Sequence, residues 1–525
     1  MTYRADDPLT HSTATELAAM LAKGEVSSEE LVRAHLDRAV TLDGKLGAYV
    51  EVHRGEAMAT AKRADEARRR GELASPIAGL PLSIKESLDC EGHASTLGIV
   101  ARKGRKAARD ATVVAAARRA GAIVLGQTNV PQLLLSHESR NPLYGATVNP
   151  WSGAHAPGGS SGGEGAAIAA GLSPFGIGTD IGGSIRVPAH FSGIVGLKPT
   201  LDRWSNRGSN GAMMGQEAIR SQCGPMARTV GDLTLLLRAL DVRFMADEDP
   251  LVPPLPFGDP AAIARGELRV GWYVDDGWMA PSRAIGRAVH EAAVALADAG
   301  FEVRPFAPPG MRDAALSYFA LMSADGGKTA WANLEGSASE PTLRPIQRMA
   351  SMPDLARRLL ARGMRAAGEG RTAELLEALG EKTVTETWKL VREARAYRLR
   401  FLEAMREAKV DVLLCPAHST PAVPHGASAE FVAGGSYCML YNLLQFPAGV
   451  VPVARVRDSE ASRSVVTDRL DKRAAFIDAE SAGLPIGVQI VAPPFHDERA
   501  LAVMAALEAA LAGRPETPRT PIEPR

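Results

Sequence analysis

The sequence has few cysteines and no excess of charge of either sign. Its four cysteines among 525 residues, Cys90, Cys223, Cys415 and Cys438, lie far apart and form no CxxC pair. This pattern argues against a disulfide scaffold or a zinc site and is typical of a reducing cytoplasm, where we expect the protein. Its 60 basic and 60 acidic residues balance, so no overall field attracts nucleic acid and no nucleic-acid partner is expected.

Long hydrophobic runs are also missing. No stretch approaches about 18 uninterrupted apolar residues, so no transmembrane helix is expected. The N-terminal MTYRADDPLTHS lacks the apolar centre of a signal peptide. The composition, with 46% hydrophobic and 23% charged residues, is that of an ordinary globular protein. A length of 525 residues exceeds that of a usual domain, but large α/β enzymes reach this length as one domain. The sequence shows no internal repeat and no linker, so we expect residues 1–525 to form a single domain.

Helix and strand patterns alternate along the chain. Ser27 and Glu30 have the spacing of a helix capping box, and GLPLSIK (79–85) is a strand pattern. A helical pattern followed by a strand occurs in 111–129 and again in 282–306. This alternation predicts an α/β fold with a large twisted mixed, mostly parallel β-sheet covered by helices on both faces.

Residues 344–371 are unusually basic. Two acidic residues oppose seven arginines, which gives a net charge of +5 (7 minus 2); the arginines are Arg344, Arg348, Arg357, Arg358, Arg362, Arg365 and Arg371. Leucine and methionine residues interleave with them, as in a basic amphipathic helix. Such a helix can lie on a membrane surface or pack its apolar side on the protein body, and both interpretations stay open. The proline-rich residues 514–525 predict a disordered tail.

Two serine-bearing glycine loops are the strongest chemical signal. They are PGGSSGGEG (157–165) and GTDIGGSIRVP (178–188). A turn at Ile181, Gly182 and Gly183 can direct several backbone N–H groups at one point, as in an oxyanion hole, with Ser184 beside it as a nucleophile. A phosphate-binding P-loop would need a lysine after its glycines, and a dinucleotide fingerprint would need glycine at Ile181. Nucleotide binding therefore stays only as a distant alternative.

A nucleophilic serine needs a base. His190 is near in sequence, but no GxSxG motif surrounds Ser184, and a lone histidine is more often a packed residue. Lys85 ends a short apolar strand, and burial can lower a lysine pKa from about 10.4 toward about 7–8. Taken alone, Lys85 beside Glu86 is more typical of a surface ion pair. The residues by themselves do not decide between these interpretations.

Three segments together resemble the amidase signature family: GLPLSIKES, PGGSSGGEGAAIAAG and GTDIGGSIRVPAHFSGIVGLKPT, which lie in a signature core of about 77–200. NPLYGATVNPW, LYNLLQFPAGVVPV and GLPIGVQIVAPP are most similar to its fatty acid amide hydrolase branch. The resemblance implies the amidase signature fold, hydrolysis of amide C–N bonds without a metal or cofactor, and a homodimer. The chain departs from that branch in lacking an N-terminal membrane helix and in a more polar helical cap at about 330–385.

The resemblance also assigns roles to individual residues. It implies catalytic roles for Lys85, Ser160 and Ser184. It implies an oxyanion hole formed by Ile181, Gly182, Gly183 and Ser184, an acyl channel lined by Leu134, Leu135 and Met439, and loop support from Ser161, Asp180 and Arg186. The expected substrates are fatty acid amides or other N-acyl amines with a long apolar acyl chain. The alternatives are an amidase of short, aryl or peptide amides and an amidotransferase subunit.

Overall fold

The computed structural model describes residues 7–72, 75–463 and 465–525, which fold around one large sheet. Its strands are β1 (Tyr49–Val52), β2 (Pro81–Lys85), β3 (Ile123–Thr128), β4 (Arg140–Asn141), β5 (Gly145–Ala146), β6 (Phe175–Asp180), β7 (Val195–Lys198), β8 (Gln222–Ala227), β9 (Arg269–Trp272), β10 (Glu302–Pro305), β11 (Val412–Pro416), β12 (Ala448–Arg455) and β13 (Pro485–Val491). In the described residues β4 and β5 form a separate hairpin, and the other eleven strands form the large sheet.

Helices connect and cover these strands. They are α1 (Pro8–His11), α2 (Ala14–Lys23), α3 (Ser28–Leu46), α4 (Arg54–Arg69), α5 (Thr112–Arg119), α6 (Gly162–Ala169), α7 (Arg186–Ser192), α8 (Val230–Ala239), α9 (Val242–Glu248), α10 (Arg283–Asp298), α11 (Met311–Met322), α12 (Lys328–Ala332), α13 (Arg344–Ala350), α14 (Asp354–Ala366), α15 (Gly370–Ala378), α16 (Val384–Glu407), α17 (Ser436–Leu443), α18 (Arg469–Ala479) and α19 (Asp497–Leu511). Among the described residues no helix is both long and apolar enough to cross a bilayer.

The strand order of the large sheet is β1-β3-β2-β6-β8-β7-β12-β13-β11-β9-β10. Parallel pairing joins β3, β2 and β6 in one block and β11, β9 and β10 in another. The pairs between these blocks, and the edge pair β1–β3, are antiparallel. The prediction of an α/β fold with a large mixed sheet is confirmed. The sheet was expected to be mostly parallel, and in the described residues four of its ten strand pairs are parallel, all within these two blocks.

Central strands are buried along their whole length. Every residue of β2, β3, β6, β8, β11 and β13 is buried. A strand buried at consecutive positions has both faces covered, because successive side chains point to opposite sides of the sheet. Helices on both faces, as predicted, account for this burial.

The capping box predicted at Ser27 and Glu30 is confirmed at the start of α3. Ser27 caps α3, and Glu30 completes the capping box by accepting the Ser27 backbone N–H. Gly24 ends α2 in the left-handed conformation that glycine adopts without strain.

The C-terminal segment differs from its prediction. Residues 514–525 are expected to be disordered, but the structure lays them against the body. The Ile522 N–H donates to the carbonyl of Ala169, the Arg525 N–H donates to that of Pro150, and Glu523 pairs with Arg38 at 2.7 Å. Composition alone missed these contacts, because proline-rich segments with few donors still order when their remaining N–H groups find acceptors.

Candidate active site

Lys85 lies at the C-terminal end of β2, in the middle of the first parallel block. Its side chain is fully buried, and Nζ donates to Ser160 Oγ at 2.7 Å and to Thr179 Oγ1 at 2.9 Å. Burial lowers the pKa of Lys85 to about 7, although the carboxylates of Asp180 and Glu164 act in the opposite direction. Lys85 is therefore not part of a surface ion pair. Because its pKa is about 7, a large fraction of the protein molecules carry an uncharged Lys85 near neutral pH.

Ser160 and Ser161 lie in the first glycine loop, immediately before α6. The glycines are needed there because a Cβ at Gly159 would come within 2.4 Å of the Ser136 carbonyl oxygen. Ser160 is 2% exposed and faces Lys85, whereas Ser161 turns toward β6, where its Oγ donates to the Thr179 carbonyl at 3.3 Å. The Ser161 N–H also donates to the carbonyl of Ser184 at 3.1 Å, which joins the two loops directly.

Ser184 lies in the second glycine loop, between the end of β6 and the start of α7. Gly183 in this turn has φ of +107°, and a Cβ there would come within 2.8 Å of Cys438 Cβ. Both the backbone conformation and the close packing therefore require glycine. Ser184 is 5% exposed and lines the same cavity as Ser160.

The turn before Ser184 presents backbone N–H groups, but fewer than the sequence predicts. The Gly183 N–H donates to Asp180 Oδ1 at 2.8 Å, so it is already occupied. Within the described residues no acceptor is assigned to the N–H groups of Ile181, Gly182 and Ser184. Of the four N–H groups that the resemblance assigns to an oxyanion hole, three therefore have no acceptor within the described residues, and their role stays a prediction.

Two side chains that sequence reasoning missed hold this turn from behind. Tyr318 on α11 donates its hydroxyl to the Ile181 carbonyl at 3.1 Å, and His137 Nε2 lies 3.3 Å from the Gly182 carbonyl. The Ile181 carbonyl shares a peptide unit with the Gly182 N–H, so the Tyr318 bond directs that N–H away from Tyr318. The Gly182 carbonyl shares one with the Gly183 N–H, which donates to Asp180. These contacts come from distant parts of the chain, and no local sequence motif predicts them.

Asp180 and Arg186 form a buried ion pair beneath the second loop. Arg186 Nε and Nη2 donate to the two carboxylate oxygens at 3.0 and 2.9 Å, and both side chains are fully buried. Burial alone would raise the pKa of Asp180, but the guanidinium beside it holds that pKa well below its usual range. Asn442 and Gln489 complete the hydrogen bonds of the pair. The pair ties the loop to α17 and β13, as the proposed supporting role requires.

A cavity of about 340 Å³ opens on the two serines. Its apolar lining consists of Leu133, Leu134, Leu135, Ile181, Ala212, Met213, Met214, Ile219 and Leu251, and polar residues that include Asp202, Arg207 and Arg220 line the rest. The predicted channel residues Leu134 and Leu135 belong to this wall. Met439 does not; it packs beneath Gly182, with its Cγ 3.7 Å from the position of a Cβ there.

His190 is positioned for structure rather than for proton transfer to Ser184. Its Nδ1 accepts the Gly487 N–H at 2.8 Å, and its Nε2 donates to the Thr420 carbonyl at 3.1 Å. Burial lowers its pKa to about 4. Both nitrogens are therefore occupied by backbone groups, and Lys85 remains the base candidate.

Glu164 and Thr179 are further site neighbours that the sequence did not single out. Glu164, in the first turn of α6, accepts from Ser83 Oγ at 2.6 Å and from Thr128 Oγ1 at 2.9 Å. Burial raises its pKa to about 7, so near neutral pH this carboxyl adds less negative charge beside Lys85 than an exposed one would.

Comparisons with known proteins find similarity over most of the chain. The family model described as Amidase matches residues 30–501. A fatty-acid amide hydrolase 1 of Sus scrofa is 39% identical over 95% of this chain and 85% of its own length. A glutamyl-tRNA(Gln) amidotransferase subunit of Chromohalobacter salexigens is 34% identical over 94% of this chain and 95% of its own. A solved fatty acid amide hydrolase superposes with a TM-score of 0.84 at 27% identity, covering 98% of this chain and 87% of that one.

Proposed function

The chain belongs to the amidase family and is a hydrolase of amide bonds, and from this we propose that it cleaves amides whose acyl group is long and apolar. The proposed nucleophile is Ser184, activated by Lys85 through Ser160. The relatives named as fatty acid amide hydrolases support the substrate class, but the cavity is the observation that carries it.

The apolar wall of the cavity lies beside both serines and is the surface that an acyl chain would contact. Leucine, isoleucine and methionine side chains line it. Each methylene transferred from water to such a surface contributes about 0.8 kcal/mol of binding free energy. An alkyl chain therefore gains affinity with every carbon that reaches this wall, whereas the polar part of the cavity suits the amine portion and water.

In the proposed acylation, the lone pair of neutral Lys85 Nζ accepts from the Ser160 hydroxyl across the 2.7 Å that separates the two atoms. Neutral Lys85 takes the Ser160 proton while Ser160 takes the proton of Ser184. The Ser184 oxygen attacks the amide carbonyl, and the N–H groups of Ile181, Gly182 and Ser184 stabilise the oxyanion. The protons then return through Ser160 to the amine nitrogen as the C–N bond breaks, which avoids expelling an amide anion.

Deacylation reverses the proton transfer. Water enters where the amine has left and gives a proton to Ser160, whose own proton passes to Lys85. The resulting hydroxide attacks the ester carbonyl, and the proton on Lys85 returns through Ser160 to the Ser184 oxygen as the acid leaves. Every proton moves between groups of this chain, the substrate and water.

Hydrolysis of p-nitroanilides from acetyl to palmitoyl tests the proposal. We expect kcat/KM to rise with chain length in the wild type and in Ser351→Ala, a control at an exposed serine, and to vanish in Ser184→Ala. If activity is highest for short acyl chains and is lost in Ser184→Ala, the mechanism stands, but the substrates are small, aryl or peptide amides. Full activity of Ser184→Ala would overturn the nucleophile assignment.

One relative favours a second candidate, an amidotransferase component. That relative is the glutamyl-tRNA(Gln) amidotransferase subunit of Chromohalobacter salexigens. A protein of that kind would need partner chains, so amide turnover by the purified chain alone separates the two functions. The nucleotide-binding alternative is dropped, because family membership identifies the glycine loops as part of an amidase.

We also propose that the arginine-rich segment contacts membranes peripherally. Within α14, Leu355 and Leu359 are 72% and 56% exposed. Exposed Arg358 and Arg362 lie on the same helix. Exposed leucines flanked by cations are the combination that an anionic bilayer attracts.

A further inference from the structure

A cluster of histidine and glutamate side chains lies at the β1 edge of the sheet, and none of its members lines the cavity that opens on Ser184. Glu51 is on β1, His53 caps the start of α4, Glu56 is in the first turn of α4, and His93 is in the loop after β2. The sheet fixes one end of the cluster, because the His53 N–H donates to the carbonyl of Leu125 at 2.8 Å.

His93 is held between two carboxylates. Its Nδ1 lies 3.0 Å from Glu51 Oε1, and its Nε2 lies 2.8 Å from Glu56 Oε2. Arg118 on α5 holds the second carboxylate through a 2.6 Å bond to Glu56 Oε1, and it also pairs with Asp110. The other oxygen of Glu51 accepts the Ala94 N–H at 3.1 Å. The cluster is therefore fixed in place by several elements.

His53 is the unexplained member. It is only 4% exposed, its ring stacks on that of His93 with centroids 3.4 Å apart, and neither ring nitrogen has a hydrogen-bond partner in the structure. Buried polar nitrogens without partners cost free energy, and most such groups in folded proteins are paired. A neutral imidazole has one nitrogen with a free lone pair, and such a nitrogen, buried beside a carboxylate and a second imidazole, points to a ligand that accepts that lone pair.

The donor set matches a zinc site. Glu51, His53 and His93 each offer one ligand atom, and these three atoms lie within 4.8 Å of one another. Around a tetrahedral zinc ion with ligand distances of about 2.0–2.1 Å, neighbouring ligand atoms lie about 3.3 Å apart. A rotation of one ring out of the stack would close the remaining distance.

The surroundings also match. When His93 Nδ1 binds a metal, its Nε2–H donates to Glu56, and Arg118 in turn holds Glu56. A histidine ligand whose other nitrogen donates to a carboxylate is the usual outer arrangement of zinc sites, because it fixes the tautomer and the ring orientation. His93, Glu51 and Glu56 side chains are partly exposed, at 17%, 35% and 39%, so an ion can enter from solvent.

We propose that Glu51, His53 and His93 bind one zinc ion per chain, with water as the fourth ligand. The site would fasten the loop of His93 to β1 and α4, and it takes no part in amide hydrolysis. No metal is expected from the sequence, because its four cysteines have no CxxC spacing and the fold alone brings these ligands together.

Titration of untagged, chelator-treated protein with Zn²⁺ alone tests this proposal by calorimetry. We expect one saturable site per chain, a Zn²⁺-dependent rise in Tm, and affinity at least about tenfold weaker in His93→Ala and Glu51→Gln. His290→Ala, at an exposed histidine elsewhere, is the control and should bind like the wild type.

The two test variants replace partly exposed side chains, and their metal-free Tm shows whether each folds. Co²⁺ substitution adds a spectroscopic test, since tetrahedral cobalt absorbs strongly in the visible and the band should disappear in His93→Ala. No saturable binding, or equal affinity in the wild type and both variants, would overturn the proposal and leave His93 as a hydrogen-bond partner of two glutamates.

Discussion

Arg186 of the second glycine loop and two arginines of the arginine-rich segment, Arg358 and Arg365, lie in opposite environments. In the loops, Arg186 is fully buried, and its three guanidinium nitrogens contact Asp180, Asn442, Gln489 and a carbonyl oxygen. In the segment, the Arg358 side chain is 67% exposed and the Arg365 side chain is 50% exposed, and each pairs with one carboxylate at the surface.

Because of this difference in burial, we expect the two kinds of ion pair to contribute differently to the stability of the protein. A buried pair whose hydrogen bonds are all satisfied fixes one backbone geometry, and losing one partner leaves an unpaired charge in the interior. An exposed pair is screened by water and salt and contributes little. Substitutions of matched chemistry in the two regions should therefore differ sharply in effect.

The largest effect is expected from removing the proposed base. Lys85→Met keeps an apolar chain of similar length but cannot accept a proton, so we expect kcat/KM for amides to fall by at least about 10²–10⁴-fold. Lys328→Met removes a lysine that is 70% exposed in the helical region and should leave kcat/KM unchanged. Near-normal turnover by Lys85→Met would exclude Lys85 as the base.

A second large effect concerns stability. Asp180→Asn removes the partner of buried Arg186, and breaking a buried pair in this way costs about 3–5 kcal/mol of unfolding free energy. Glu377→Gln removes the surface partner of Arg365 and should not change the denaturation midpoint measurably. Similar denaturation midpoints for the two variants would contradict the distinction between the regions.

A smaller effect is expected on substrate preference. Leu135→Gln puts a polar group in the apolar cavity wall, so kcat/KM for palmitoyl relative to acetyl anilide should fall by about 10–100-fold. Leu359→Gln, at an exposed position of α14, should leave that ratio unchanged. An unchanged ratio in Leu135→Gln would place the acyl chain elsewhere.

The smallest effect belongs to the segment itself. At low ionic strength we expect the protein to sediment with anionic vesicles and to be released by salt, because arginines near an anionic surface contribute mainly electrostatic attraction. Leu355→Ser with Leu359→Ser should reduce the bound fraction without changing hydrolysis of a soluble short-chain anilide. If the protein does not bind anionic vesicles at low salt, the segment has no membrane role and only packs on the protein body.

The sequence predicts those parts of the molecule whose signals are local. The capping box at Ser27, the strand that ends at Lys85 and the glycine required at Gly183 each depend on neighbouring residues and on backbone geometry. The α/β class follows from alternating patterns of the same kind. The resemblance to the amidase signature family assigned Lys85, Ser160 and Ser184 to one catalytic site. In the structure, Lys85 Nζ lies within hydrogen-bond distance of Ser160 Oγ.

Long-range contacts were beyond that reasoning. Tyr318 and His137 reach the turn before Ser184 from other parts of the chain, and the commitment of the Gly183 N–H to Asp180 depends on how the loop closes. Met439 was expected in the channel, but α17 turns it beneath Gly182. The burial of Lys85, which decides its pKa, results from the assembled sheet and not from its immediate neighbours.

The central claim is that Ser184 is acylated with the help of an uncharged Lys85. It is tested most directly by the pH dependence of Ser184 modification by an acylating carbamate, with the modified residue identified by mass spectrometry. The account predicts a label on Ser184 and a rate that rises as pH passes through about 7, since Lys85 is increasingly neutral above its pKa. A label on another residue, or a rate independent of pH between 5 and 9, would contradict it.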